Sequence, residues 1–110
     1  MSNLSQRADF TDAERAIAAS SFDGTYRNIG TALTSNPVQI IFDNQTNVDV
    51  PISVTGNSTW KTFSAGEALV LDLRGNHGIA SNFTADVGTQ FSTNATVGTG
   101  SFRISVINAR

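Results

Sequence analysis

The chain has 110 residues, a formal net charge of −2 and no cysteine, so one domain without disulfides, zinc–thiolate sites or CxxC motifs is expected. Charged residues make up 15% of the chain, and only one of them is a lysine, Lys61. A basic face for nucleic acid is therefore not expected. Ser, Thr and Asn, which suit strands and turns, account for 35 residues and supply most of the polarity.

Residues 1–24 hold six of the sixteen charged residues in under a quarter of the chain, which predicts an N-terminal arm. Thr11 and Glu14 match a capping box, and the alanines that follow favour helix, so a short helix is predicted at about residues 12–20. Phe10, Arg15 and Ile17 are the candidate contact residues of this arm. A helix this short is marginal alone. The arm is interpreted either as a frayed terminus or as a segment that orders on a neighbouring subunit.

The first ten residues lack the apolar core of a signal peptide, and no apolar run approaches the length of a membrane span. We therefore expect synthesis in the cytoplasm without secretion, and no membrane partner.

Residues 25–110 predict a β domain that begins with a weak strand near residues 26–33. A strand at 38–42 is followed by strict apolar alternation from Val48 to Val54. Turn-forming residues 44–47 separate the two runs, which predicts a hairpin. Pro51 removes a ladder donor and therefore indicates an edge strand or a bulge.

Further strands are predicted at 60–63, 69–73, 79–83, 91–97 and 101–106, with Gly-rich or polar turns between them. The spacing predicts an all-β fold: an antiparallel, jelly-roll-like β-sandwich of seven or eight short strands, preceded by the arm. Its predicted core consists of Ile40, Phe42, Val50, Ile52, Val54, Leu69, Leu71, Phe91, Phe102, Ile104 and Val106.

Catalytic, metal and cofactor sites are not predicted. His77 is the single histidine and lies in a Gly-rich loop without a nucleophile motif. Trp60 and Tyr26 are the possible surface contacts, because an aromatic pair can stack on a sugar. Trp60 is interpreted either as an exposed contact or as a lid on the core, and we favour the lid.

The chain contains the lead-in pattern Tyr26-x-x-x-Gly30-Thr31-x-Leu33 and five further segments: NPVQIIFDNQTNVDV at 36–50, SVTG at 53–56, SAGEALVLDLRGN at 64–76, GTQF at 88–91 and GTGSFRISV at 98–106. Together they resemble small virion proteins of tailed bacteriophages, over residues 25 to 107. The resemblance implies a repeated structural subunit, a capsid decoration (cement) protein or a head–tail joining part, with no active site.

The expected function is thus a virion structural protein, most simply a decoration subunit that binds the major capsid protein and neighbouring copies. A head–tail connector or tail component is one alternative, and a carbohydrate- or receptor-binding module is another. A low-charge surface fits contacts between identical copies, since interfaces are depleted in Lys and Glu.

Overall fold

A computed structural model describes residues 8–9, 14–34, 36–56, 58–72 and 87–109. Within these ranges the chain forms nine strands and one 3-10 helix, Ala19–Ser21. The strands are β1 Ala8–Asp9, β2 Arg15–Ala18, β3 Arg27–Asn28, β4 Pro37–Thr46, β5 Val50–Ser53, β6 Lys61–Phe63, β7 Ala68–Asp72, β8 Ser92–Thr93 and β9 Gly100–Ala109. The all-β prediction is confirmed.

Strands β2 to β9 pair as one long hairpin folded upon itself. β2 pairs with β9, β3 with β8, β4 with β7 and β5 with β6, always antiparallel. The contacts β4·β9 and β5·β8 join these pairs into two sheets, β9–β4–β7 and β3–β8–β5–β6, with β1 and β2 along the outer edge of β9. This nested order is that of a jelly roll, which confirms the predicted sandwich.

The core lies between the two sheets and follows the predicted alternation. Nine of the predicted core residues are buried, and Val54 and Leu69 pack partly buried against them. Sequence analysis did not include six further buried apolar residues: Ala19, Phe22, Ile29, Leu33, Phe63 and Ala95. Two of these, Ala19 and Phe22, come from the predicted arm, so that segment contributes to the core.

The predicted helix at about 12–20 is wrong over its described residues. Residues 15–18 form β2, whose register on β9 places Arg15 opposite Ile104 and Ile17 opposite Phe102. Pairing with β9 satisfies the backbone and brings two β2 side chains towards the core, whereas a short isolated helix would gain little packing. Residues 15–22 therefore belong to the sandwich and are not an arm; residues 1–7 and 10–13 lie outside the described residues.

The predicted hairpin between the runs at 38–42 and 48–54 is also wrong. β4 lies in one sheet and β5 in the other, so the chain crosses between sheets after Thr46. Pro51 lies in β5, which is an inner strand and not the predicted edge strand. The ladder between β5 and β8 includes only Ile52 and Ser53, so it ends before the proline. The strand predicted at 79–83 lies outside the described residues.

Asn44 fixes this crossing from a fully buried position. Its Nδ2 donates to the carbonyls of Val48 at 3.0 Å, Phe63 at 3.0 Å and Ser64 at 2.9 Å. Its Oδ1 accepts from the backbone N–H of Thr46 at 3.0 Å and from the Thr46 hydroxyl at 2.6 Å. One side chain thus joins the end of β4 to the segments that flank β5 and β6.

Candidate functional site

The loop between β5 and β6 is held at both of its ends by short hydrogen bonds. The Ser53 hydroxyl accepts from the backbone N–H of Thr55 at 3.2 Å and of Gly56 at 2.8 Å, which forms a tight turn. At the other end the Trp60 N–H donates to the Ile52 carbonyl at 2.7 Å. The side chains that follow the turn therefore project from the β5–β6 hairpin, in which β5 is an inner strand of its sheet.

A cleft of about 240 Å³ opens beside this loop. It is lined by Val54, Thr55, Ser58, Thr59 and Trp60. The Thr55 and Ser58 hydroxyl oxygens lie 3.0 Å apart, and the Thr59 hydroxyl lies 3.5 Å from that of Tyr26, just before β3. The cleft thus combines one indole with a row of neutral hydroxyls, and these lining residues carry no charge.

Trp60 closes the core at this end of the sandwich. Its ring is half-buried and lies 5.5 Å from the Phe42 ring and 6.2 Å from the Phe63 ring, measured between centroids. Phe42 in turn contacts Phe63 and Phe91. The interpretation of Trp60 as a lid is confirmed, and one side of the cleft is consequently built on the aromatic core.

An exposed ion pair stands next to Tyr26. Arg27 Nη2 donates to Asp23 Oδ2 at 2.6 Å, and the other Asp23 oxygen accepts from the Thr25 hydroxyl at 2.6 Å. The Arg27 guanidinium, and after it Thr25, hold the pKa of Asp23 well below its usual range, while Asp23 raises the pKa of Arg27. The two charges offset each other, so the surroundings of the cleft stay close to neutral.

The cleft can offer hydrogen bonds and one apolar ring to a small neutral ligand. Its volume is below the ~300–1,000 Å³ of typical small-molecule sites, so it would hold about one sugar ring. Sequence analysis named Trp60 and Tyr26 but missed the hydroxyls of Thr55, Ser58 and Thr59. The polar run SVTGNST before Trp60 is the signal that could have indicated them.

Of the predicted arm residues, the structure places Arg15 and Ile17 within the sandwich. Arg15 is buried, and its guanidinium donates from Nε to the Thr31 carbonyl at 2.6 Å and from Nη2 to the Ala32 carbonyl at 3.0 Å. Ile17 packs partly buried against the core. Phe10 lies outside the described residues. Arg15 thus ties β2 to the loop after β3 within its own chain.

A second surface, missed by sequence analysis, lies on the outer face of the first sheet. There Val70 of β7, 51% exposed, stands opposite the half-buried Ile41 of β4. Towards β2 the same face becomes charged, with Arg103 Nη1 3.1 Å from Glu14 Oε1. The outer face therefore has an apolar side at β7 and an ion-paired side at β2.

Among the described residues, no three His, Cys, Asp or Glu side chains lie close enough to hold a metal ion. The described ranges also contain no helix long and apolar enough to cross a membrane. Comparisons of the chain with protein-family models, curated proteins and solved structures find no match.

Proposed function

We propose that this protein is a structural subunit of a tailed-bacteriophage virion, a capsid decoration protein that binds the major capsid protein and neighbouring copies. A head–tail connector or tail component is the alternative position. The protein would be made in the host cytoplasm and incorporated without secretion. The proposal includes no catalytic step, cofactor, nucleic acid or membrane.

The observation that carries the proposal is the position of the phage-like segments in the fold. The segment at 36–50 covers β4 and its crossing to the second sheet, including Asn44, and the segment at 98–106 covers most of β9. These are the two ten-residue strands that form the centre of the first sheet. The resemblance therefore falls on the framework of the sandwich as well as on its turns.

The fold and the surface agree with this role. Jelly rolls are used by viral capsid proteins and by lectins, which is support by analogy. Within the described residues three ion pairs, at Asp23–Arg27, Lys61–Glu67 and Glu14–Arg103, offset six of the charges that could repel an identical copy. The arm no longer supports the proposal over residues 14–24, so the contact must come from the sandwich surface.

Quantitative mass spectrometry of purified particles tests the proposal. A decoration subunit is expected at a copy number comparable to that of the major capsid protein, whereas a connector or tail part is expected at about a dozen copies or fewer, since such parts form closed rings. Purified subunit added to shells that lack it should sediment with them. Absence from the particles would refute the virion role.

A carbohydrate- or receptor-binding role is the second candidate, and the Trp60 cleft is the observation that favours it. Thr59→Val and Ser58→Ala remove hydroxyls from the cleft while leaving the lid in place. If the role is correct, both should weaken binding in a glycan screen, and Thr62→Val, at an exposed position of β6, should not. Trp60→Ala is a poor test alone, because the ring also packs on Phe42.

A further inference from the structure

Strand β7 forms one edge of the first sheet, and no strand of the described residues pairs with its far side. The Asn44 N–H donates to the Glu67 carbonyl and the Gly66 N–H donates to the Asn44 carbonyl, so Asn44 faces β7. Antiparallel bonding alternates, and Leu69 and Leu71 must therefore face β4. The backbone N–H and C=O of Val70 consequently point away from the sheet.

We propose that β7 pairs antiparallel with β7 of a second copy of this chain, with Val70 on the two-fold axis. The inference rests on the proposed function, because it specifies how neighbouring subunits of the virion would contact each other. In this register the Val70 N–H donates to the carbonyl of Val70 of the partner subunit, and the reverse bond follows by symmetry. Ala68 then stands opposite Asp72 of the partner subunit.

Among the edges formed by the described residues, the β7 edge carries the least protection. Sheet edges usually carry lysine, proline or charge, or are very short, which prevents pairing with other chains. β1 and β3 have only two residues each, β6 has three, one of them Lys61, and the four residues of β2 include a single large apolar side chain, Ile17. β7 instead presents Ala68 to Leu71, four apolar residues in sequence, before its single charge.

The outer faces match across the proposed axis. The register puts Ser105, Ile41 and Val70 in one cross-strand row, and the two-fold continues it through Val70 and Ile41 of the partner subunit. Four β-branched apolar side chains would then be adjacent, and the two Val70 side chains would form the new cross-strand pair. In the next row Asp43 lies beside Arg103, and Ala68 separates Asp43 from Asp72 of the partner subunit.

The contact involves one short strand from each copy, so it falls below the ~1,200–2,000 Å² of a stable interface and is weak in dilute solution. Neighbouring positions in a shell raise the local concentration to about the millimolar range and make such a contact effective. We therefore expect a monomer at low protein concentration. The fraction of dimer should rise as the concentration approaches about 1 mM.

A cysteine scan tests the register, because the native chain has no cysteine. Val70→Cys would place two thiols about 5.5 Å apart at Cα, within disulfide range. Ala68→Cys on the same strand would place them about 14 Å apart, and Val97→Cys, at a site 64% exposed, lies off the strand. With diamide as oxidant, Val70→Cys should crosslink at least about tenfold faster than either control.

Equal crosslinking of all three variants, or none by Val70→Cys near 1 mM, would overturn the proposed pairing. Sedimentation equilibrium gives an independent measurement without cysteines. Val70→Lys should weaken dimerisation by about tenfold or more. Thr62→Lys, which places a lysine on the β6 edge instead, should leave dimerisation unchanged. A chain that fails to pair and is still abundant in particles would refute the β7 contact alone, so the two proposals fail separately.

Discussion

Replacing Arg15 by methionine should lower the free energy of unfolding by about 3 kcal/mol. The change keeps a long apolar stem in the buried site but removes the guanidinium bonds to Thr31 O at 2.6 Å and Ala32 O at 3.0 Å. Hydrogen bonds to charged groups contribute about 1.5–3 kcal/mol each. Two such bonds at the lower value give about 3 kcal/mol.

Urea denaturation followed by Trp60 fluorescence measures this difference, because the indole covers the core and should respond to unfolding. Arg103→Ala is the matched control. Its side chain is 45% exposed and pairs with Glu14 at the surface, so the change should cost less than about 1 kcal/mol. If Arg15→Met were no more destabilising than this control, β2 would not be an integral strand, and the assignment of residues 15–22 to the sandwich would be refuted.

Three further changes test other parts of the fold. Asn44→Ala leaves buried carbonyls without their donor and should cost about 3 kcal/mol in the same urea assay; a loss below about 1 kcal/mol would contradict the role of Asn44 at the crossing. The Ser64 N–H and Lys61 lower the pKa of the Glu67 carboxyl below its ordinary 4.5. The ionised carboxylate therefore stabilises the folded protein above about pH 4.5, and this stabilisation is lost as the pH falls. Melting temperatures from about pH 6 to about pH 3 should therefore fall more steeply for the native chain than for Glu67→Gln, and parallel curves would contradict this. Gly30→Ala should destabilise by about 1 kcal/mol or more on thermal unfolding, because Gly30 has φ +66° and an added Cβ would lie 2.6 Å from Arg15 Cγ; an unchanged melting temperature would show that the loop can shift.

Alternating apolar residues made the centre of the sandwich predictable. The pattern at Phe102, Ile104 and Val106 identified β9, and the runs near Ile40 and Val50 identified β4 and β5. The period of two is visible in the sequence for β5 and β9, whereas the run near Ile40 is apolar at both parities, which is typical of a central strand. The core could therefore be predicted before the strands were assigned to sheets.

The errors arose where partners distant in sequence decide the structure. The alanines near Ile17 have high helix propensity, but pairing with β9 outweighs it, as tertiary contacts often do. The assignment of β4 and β5 to different sheets depends on strands that come later, which adjacent runs cannot reveal. At the candidate cleft, the ring that covers the core was predictable, whereas the grouping of hydroxyls from residues 55 to 59 required the closed loop.

The nested pairing also has a consequence for the order of folding. β9 is the partner of β1, β2 and β4, yet it is synthesised after all three of them. On a ribosome the earlier strands remain unpaired on the side that β9 will occupy. The folding rate should be limited by closing the longest loops, on a timescale of milliseconds to seconds. Until β9 arrives, β4 lacks its longest neighbour, so premature pairing between nascent chains is the hazard that this topology carries.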